Sequence, residues 1–437
     1  MKRHLETACI AALLLHLSAT ALWSHPGPFD GTCFRGRIAF SSDGNYNDED
    51  DWGAFPVAVA ILDAFGVTDK LVHVDYCNIL PKNDARFYRE MVESVLGAAK
   101  RYNIPRTVLF DCQKDLDGAV ESIANAINAS SADDPLYYIL AGPMEVPFRG
   151  IEKSDPDKRQ YVYCISHNSW NDGYTGNNQD LHPHNKRDVI PSGVHWIQCR
   201  DGNRHLAHPG GVGKRSTPEQ WRLYEWLRDS SDARLKWIFT RLEAELRTDI
   251  SDATMTYFLL TGDEDADLFK LQRLLDEKKR PDTVTQRETI RMEAENFRAL
   301  DGFEVRQGDR KASKRLSVRW RDGQTGRIAT RFDEIHASTG RYDVGIRYRN
   351  AGEGACSLTL YVNGARQGAS WSITHNTGAW KTHTIENVSV NEGDQIAVRA
   401  RGQAGELDYV ELRYRGPVSA RSHSSHDGDL DDPAALP

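Results

Sequence analysis

Four aspartates crowd the short loop that follows the first strand-like run of the chain. They are Asp43, Asp48, Asp50 and Asp51, and an apolar segment of helical length, residues 52–65, comes directly after them. Carboxylates packed this densely repel one another unless a cation or a hydrogen-bonded substrate neutralises them. Because carboxylate oxygens are the ligands that Ca²⁺ and Mg²⁺ prefer, the loop predicts a cation site. A solvated acidic turn is the alternative.

The order strand, acidic loop, helix is how an open α/β sheet presents a site at the carboxyl ends of its strands. Further strand-like runs alternate with helix-like segments. The runs lie at 70–76, 107–111, 136–141 and 161–166, and the helical segments at 84–103 and 116–129. This alternation predicts an α/β domain with a mostly parallel open sheet and helices on both faces.

Other polar side chains follow the later strands and should reach the same edge as Asp43. Asn78 follows the second run, Glu145 follows the turn after the fourth, and His167 and Asp172 follow the fifth. An imidazole titrates near neutral pH, so His167 is a candidate proton donor, and Glu145 is a second candidate. A hydrogen-bonded residue at the rim is the alternative for His167.

The segment 167–218 is rich in Asn, His, Gly and Asp, and a polar stretch of this length inside a domain indicates function. Trp170 and Asn171 suit a sugar subsite, with ordinary packing as the alternative. His195, beside Trp196, is a further candidate for substrate contact. We expect His182 and His184 at the surface, and their spacing is weak evidence for zinc.

Beyond a linker at 281–289 the apolar period changes from helical to alternating. Short strands separated by glycine turns predict an antiparallel β-sandwich (jelly-roll) over residues 290–414, and 415–437 have the composition of a disordered tail. The α/β domain should occupy 34–280.

Composition limits the possible compartments and partners. The chain has 437 residues and a net charge of −8, its basic residues are scattered, and it is not apolar enough to be a multi-span membrane protein. A charged start, an apolar stretch and small residues near position 20 predict a signal peptide over residues 1 to about 24. We therefore expect a secreted or periplasmic protein that binds no nucleic acid. The six cysteines after this segment permit disulfides.

The α/β region resembles the nucleoside-hydrolase-like superfamily, and most closely an exported subgroup. The resemblance rests on the acidic loop ending in Asp50-Asp51, on the strand that ends at Gly142-Pro143, and on Ser251-Asp252-Ala253 before an apolar helix. It implies one Ca²⁺ held by Asp43, Asp51, Asp252 and the backbone carbonyl of Ala141. Asp43 would activate water and Asp50 would contact sugar hydroxyls.

Two departures from that family bear on its chemistry. The acidic loop is longer than usual, so Asp43 or Asp48 could take the place of the first family aspartate. The family histidine before the last aspartate is Ser251 here, which argues against the cleavage of ordinary nucleosides.

The C-terminal region resembles carbohydrate-binding module family 6. Residues 291–296 match its opening strand, 377–380 its Gly-x-Trp segment and 407–410 its closing strand. The resemblance implies a structural Ca²⁺ held by Glu293, Glu295 and Asp408. It also implies that Trp380 stacks on a sugar, and Trp371 is an equal candidate. Glu406 replaces a common asparagine, which leaves the ligand open.

The leading hypothesis is a secreted, metal-dependent glycoside hydrolase that a carbohydrate-binding module anchors to a polysaccharide. Inversion at the anomeric carbon is expected because no second carboxylate is placed as a nucleophile. An algal galactan such as agarose is one guess at the substrate. An extracellular N-ribosyl hydrolase and a non-catalytic carbohydrate-binding protein are the alternatives, and the oligomeric state is unknown.

Overall fold

The structure is a computed structural model that describes residues 28–30, 33–46, 48–81, 84–174, 181–206, 215–281, 285–321, 323–350, 354–373 and 378–418. The predicted signal peptide and most of the predicted tail lie outside these residues. Within them, no helix combines the length and the apolar character needed to cross a membrane.

A six-stranded parallel sheet forms the centre of the first domain, with strand order β5-β4-β3-β6-β7-β8. Its strands are β3 Arg37–Ser42, β4 Leu71–Tyr76, β5 Leu109–Asp111, β6 Leu136–Ala141, β7 Val162–Ser166 and β8 His195–Gln198. A small hairpin, β1 Phe29–Asp30 and β2 Cys33–Phe34, precedes them. The predicted parallel α/β sheet is confirmed.

Twelve α-helices in the described residues connect and cover these strands. They are α1 Asp51–Phe65, α2 Ala85–Arg101, α3 Leu116–Asn128, α4 Glu145–Lys153, α5 Ser169–Gly173, α6 Lys186–Val189, α7 Asn203–Leu206, α8 Pro218–Arg222, α9 Glu225–Asp229, α10 Ala233–Glu245, α11 Ala253–Thr261 and α12 Leu268–Leu275. Helix α11 is buried along its whole length, and α1 is buried over residues 51–62. Asp50 immediately precedes α1, and Asp252 immediately precedes α11. Because both helices are buried, they hold these two aspartates in fixed positions.

Two antiparallel sheets form the second domain. Their strands are β9 Thr289–Glu293, β10 Ala299–Asp301, β11 Phe303–Gln307, β12 Leu316–Trp320, β13 Gln324–Arg331, β14 Gly340–Asn350, β15 Cys356–Val362, β16 Ala365–Ile373, β17 Lys381–Val390, β18 Gln395–Gly402 and β19 Gly405–Gly416. One sheet has the order β10-β13-β18-β15-β16; the other has the order β11-β12-β19-β14-β17, with β9 paired to β19. Their inner faces enclose an apolar core that includes Trp320 and Tyr342. The predicted β-sandwich is confirmed.

Several local predictions were wrong. Residues 195–198, read as part of a polar insertion, form the edge strand β8 of the parallel sheet. Residues 218–229 form two short helices, α8 and α9. The strands of the sandwich extend from Thr289 to Gly416, beside the predicted range 290–414. All six cysteines in the described residues are free thiols.

The two domains are in direct contact. His336 in the sandwich donates from Nε2 to the carbonyl of Leu259, 2.9 Å away, and Arg287 pairs with Glu264 at 2.9 Å. Lys314 Nζ lies 3.2 Å from the carbonyl oxygen of His167. The sandwich therefore touches the end of β7, beside the predicted site.

Candidate functional site

The strand register brings the first ligand candidates to one edge of the sheet. Ser42 at the end of β3 pairs with Ala141 at the end of β6, so Asp43 and the Ala141 carbonyl leave neighbouring strands at the same level. Asp51 is the first residue of α1 and Asp50 precedes it, and Asp252 immediately precedes the first residue of α11. Residues separated by about two hundred positions therefore converge at the carboxyl ends of the parallel strands.

The tightest acidic group consists of Asp50, Asp51 and Asp252, since one carboxylate oxygen from each lies within 4.8 Å of the others. Asp43 adjoins this group and interacts electrostatically with Asp51, Asp50 and Asp252. The structure thus brings Asp51 and Asp252 together as predicted and adds Asp50, which was expected to bind sugar. Asp48, the alternative to Asp43, contacts Asp50 instead.

Burial and mutual repulsion make this group electrostatically unfavourable by itself. Burial and the neighbouring Asp50 and Asp252 raise the pKa of Asp43 to about 7. Burial and Asp43 raise the pKa of Asp51 well above its usual range, and burial does the same for Asp48. The cluster must take up protons or a cation to exist in this form.

Unsatisfied oxygens favour a cation. Asp43 Oδ2 and Asp50 Oδ1 are buried without a hydrogen-bond partner, whereas Asp51 Oδ1 accepts from the Ser42 hydroxyl. Buried oxygens without donors are costly unless a cation satisfies them. The residues present therefore fit a hard divalent ion such as Ca²⁺, with Asp50, Asp51 and Asp252 as its carboxylate ligands and Asp43 beside them.

His167 lies beside Asp252, the last aspartate of the acidic group. Its Nε2 lies 2.6 Å from Asp252 Oδ1, and both side chains are buried. Its Nδ1 lies 3.1 Å from the Gly202 amide nitrogen and 3.5 Å from Asp201 Oδ1. This nitrogen accepts from the amide when the imidazole is neutral and can donate to Asp201 when it is charged.

The charge state of His167 follows from its two carboxylates. Burial lowers its pKa, but the hydrogen bonds and charges of Asp201 and Asp252 outweigh burial and raise the pKa to about 9. The same contact holds the pKa of Asp201 well below its usual range, against the effect of burial. The two carboxylates therefore favour the doubly protonated form of the imidazole.

Three predicted substrate residues lie around this edge. Asn78 is buried, donates to the Ser41 hydroxyl over 2.8 Å and leaves its Oδ1 without a partner. Asn171 on α5 is also buried with a free Oδ1. Trp170, one residue before, is 40% exposed. An exposed indole beside unsatisfied amide oxygens suits a sugar, whose hydroxyls need acceptors.

Other candidates are engaged elsewhere. Both oxygens of Glu145 are occupied, by Arg149 Nε at 2.6 Å and by His184 Nδ1 at 2.9 Å, which ties the start of α4 to the segment before α6. His182 is buried and its Nε2 accepts from the Leu80 amide, which corrects the expected surface position.

His195 is buried at the domain boundary rather than open to substrate. Its Nδ1 lies 3.0 Å from Asp333 Oδ2 and its Nε2 lies 2.6 Å from the carbonyl of Gln160. These contacts give it a role in joining the domains. Asp172 contacts the Ser166 hydroxyl and lies 3.5 Å from Lys186 Nζ, which ties α5 to the end of β7.

The calcium ligands predicted for the sandwich have mixed surroundings. Glu293 Oε2 and both oxygens of Glu295 are buried without hydrogen-bond partners, which suits a cation. Asp408, however, accepts from the Ser313 amide at 2.9 Å and pairs with Arg347. Lys186 Nζ lies 3.9 Å from Glu295. This second calcium site stays a prediction.

The two stacking candidates of the sandwich differ in their contacts. Trp371 stacks on His383 with ring centroids 4.3 Å apart. Trp380 donates from Nε1 to Asp309 over 3.1 Å, and the guanidinium of Arg349 lies 4.7 Å from its ring centroid. Both indoles already have a partner on one face, and their contact with sugar stays a prediction.

Two residues near the site were missed from the sequence. Asp201 holds His167, and it was overlooked because β8, which precedes it, was not recognised as a strand. Arg247 pairs with Asp249 at 2.9 Å and with Glu49 at 3.2 Å, and Asp249 Oδ1 accepts from the Ser251 amide. These contacts fix the turn that presents Asp252, and no sequence motif marks them.

Comparison with known proteins gives a distant relative and no family. No family model matches the chain. An uncharacterized protein of Formosa agariphila, P22, is 29% identical over 251 residues, which are 52% of this chain and 84% of that protein.

Similar solved structures match about 30% of the chain. A Podospora anserina β-(1,4)-mannanase with a family 35 carbohydrate-binding module is 20% identical over 30% of this chain and 29% of its own, with a TM-score of 0.26. A family 35 module from Clostridium thermocellum is 19% identical over 29% of this chain and 98% of its own, with a TM-score of 0.25. A family 6 module of a Zobellia galactanivorans laminarinase is 18% identical over 29% of this chain and 98% of its own, with a TM-score of 0.23. The chain covers under a third of the mannanase's own length.

Proposed function

We propose that this protein is a glycoside hydrolase of nucleoside-hydrolase-like type that acts on a polysaccharide. The observation that supports this most directly is the group of Asp50, Asp51 and Asp252, with His167 Nε2 2.6 Å from Asp252. It combines oxygen ligands for a divalent cation with a buried imidazole that carries a proton. Hydrolysis of a glycosidic bond needs both charge stabilisation and a proton for the leaving oxygen.

Asp43 and His167 would perform the proton transfers. Asp43 has a free Oδ2 and a pKa of about 7, so its ionised form can take a proton from the attacking water. His167 would give a proton to the oxygen that leaves the anomeric carbon. Its Nε2 is bound to Asp252, so this proton would come from Nδ1, which lies 3.5 Å from Asp201. The new bond joins water oxygen to carbon as the glycosidic bond breaks, which inverts the centre if one displacement occurs. A bound divalent cation would polarise water and neutralise carboxylate charge.

The sandwich would hold the protein on its substrate. Trp371 and Trp380 are its proposed sugar contacts, and binding of the module to polysaccharide raises the effective substrate concentration without changing the chemistry. An algal galactan such as agarose is the proposed substrate, and a secreted or periplasmic location suits a polymer of this kind.

Purified full-length protein, incubated with a polysaccharide panel and with nucleosides, tests the proposal. We expect soluble oligosaccharides from at least one polysaccharide, loss of this activity with a chelator, and recovery with Ca²⁺. Release of free base without oligosaccharide would show the N-ribosyl hydrolase instead. A protein that binds sugar but hydrolyses no substrate, and whose sugar binding is unchanged in Asp43→Asn, would be a non-catalytic binding protein.

A further inference from the structure

A groove of about 600 Å³ lies between the two domains, beside the candidate site. On one side it is lined by α5, the helix that carries Trp170 and Asn171, and by Lys186 and Arg187 of α6. On the other side it is lined by the loop between β11 and β12, with Lys314 and Arg315. Four cationic residues therefore face this groove, and Asp172 is its one acidic lining residue among those described.

The cations of this groove differ in whether they are already paired. Lys186 is buried and is shared between Asp172 and Glu295. Lys314 binds the carbonyl of His167. Arg187 and Arg315 are exposed, and the described residues supply no carboxylate or other hydrogen-bonding partner to either guanidinium. Two free guanidinium groups, one from each domain, are thus directed to the same space.

The loop that carries Lys314 and Arg315 is held in place against a conformational cost. Both residues have positive φ, 50° and 60°, which costs free energy for a side-chain-bearing residue. Ser313 anchors the loop, since its amide donates to Asp408 over 2.9 Å and its hydroxyl donates to Glu293 over 2.6 Å. Two buried carboxylates therefore fix the direction in which these cations reach the α/β domain.

We propose that this groove is a subsite for an anionic group of the polysaccharide, a carboxylate or a sulfate ester, bound by Arg187 and Arg315. Guanidinium groups bind both anions through paired N–H donors, and these charge-assisted bonds are strong. Lys314 reaches the backbone of His167, so a sugar held here lies next to the proton donor. The inference rests on the proposed function and narrows its substrate: the glycan is acidic, such as a sulfated galactan, in place of neutral agarose, and the groove contacts a unit adjoining the cleaved bond.

Calorimetric titration of the full-length protein with three probes tests the subsite. The probes are oligogalacturonate for carboxylates, κ-carrageenan oligosaccharides for sulfate esters, and neutral agarose oligosaccharides. We expect at least one anionic probe to bind more tightly than the neutral probe, and its binding to weaken with added salt. Which anionic probe binds distinguishes the two sources of charge.

The double variant Arg187→Ala/Arg315→Ala should lower the affinity for that anionic probe about tenfold or more, since each charge-assisted bond is substantial. Affinity for the neutral probe should not change. Arg106→Ala, an exposed arginine beside the amino end of β5, is the matched control and should behave as wild type. Equal binding of all probes, binding of neither anionic probe, or wild-type affinity in the double variant overturns the subsite. Because this measures binding alone, failure of the proposed hydrolysis appears separately, as an absence of released sugar.

Discussion

His167 Nε2 lies 2.6 Å from Asp252 Oδ1, which joins the end of β7 to the start of α11 across 85 residues of sequence. This contact gives the acidic cluster an imidazole that the sequence around Asp252 does not contain. It also links the proposed proton donor to the proposed cation ligands, so that a change at either residue should affect the other.

The free oxygen of Asp43 should be essential for the reaction. Asp43→Asn keeps the size of the side chain but removes the proton acceptor, so the hydrolysis rate should fall roughly 10²–10⁴-fold, the usual contribution of general base catalysis. The measurement is the initial rate of reducing-sugar release. Asp133→Asn, an exposed carboxylate before β6, is the control and should keep wild-type rates. If Asp43→Asn hydrolyses substrate at a rate within about twofold of wild type, Asp43 is not the proton acceptor.

The pH dependence should report Asp43 and His167 together. Asp43 must be ionised and His167 protonated, so kcat/KM should fall on the acidic side as Asp43 takes up a proton and on the alkaline side as His167 loses one. A bound cation lowers the pKa of both groups, so both limbs should lie below the values of about 7 and about 9 that hold without it. His167→Gln should reduce the rate and abolish the alkaline limb. A profile whose alkaline limb survives unchanged in this variant would assign that limb to another group.

Stability should fall with acid because of His336 at the domain contact. Burial lowers its pKa to about 4, against the ordinary 6.5 of an unfolded chain. The unfolded state therefore binds the proton first, so the stabilising effect is complete above about pH 6.5 and is lost as the pH falls towards 4. The loss should reach about 3 kcal/mol at most, from 1.36 kcal/mol per pKa unit.

Denaturant unfolding of wild type and His336→Asn between pH 7 and 4 measures this effect. Asparagine cannot titrate and tolerates the positive φ of 61° at this position. The variant should be less stable at pH 7 and should lose less stability on acidification than wild type. Parallel pH curves for the two proteins would show that His336 does not titrate as described.

Close packing between α2 and α10 should make Gly97 intolerant of a side chain. A Cβ at Gly97 would lie 2.3 Å from the Trp237 ring. Gly97→Ala should cost about 1–3 kcal/mol through overpacking, partly offset by up to ~1 kcal/mol of helix propensity. Gly173→Ala, with no neighbour within 4 Å, is the control. Denaturant midpoints compare the two, and equal stability would show that Trp237 moves aside without cost.

The apolar patterns predicted the parallel sheet and the sandwich. A strand buried on both faces is a continuous apolar run and a strand buried on one face alternates, so both patterns can be read from the local sequence. They missed β8 because its residues, His195, Trp196 and Gln198, are polar or amphipathic and find their partners in Gln160 and in the sandwich. Because contacts with the sandwich help to hold β8 in place, its own sequence lacks the apolar pattern of a buried strand.

The site was predicted in part. The acidic loop and Asp252 were identified from residue type and from the resemblance, and the structure brings them together. The spacing of Glu145 and Arg149, four residues apart on α4, is readable from the sequence. The contacts of Glu145 with His184 and of His167 with Asp201 are tertiary, and spacing does not encode them. Candidates that share an edge of the sheet can therefore differ in function according to which counter-ion reaches them.

Calorimetric titration of Ca²⁺ into metal-free wild type and Asp252→Asn tests the central claim most directly. Because Asp252 lies far from the start of α1 in sequence and next to Asp50 and Asp51 in space, the substitution should weaken one Ca²⁺ site at least about tenfold, equivalent to 1.4 kcal/mol. The rate of hydrolysis by Asp252→Asn should fall as well. Identical Ca²⁺ binding by the two proteins would contradict the convergence of these aspartates on one cation.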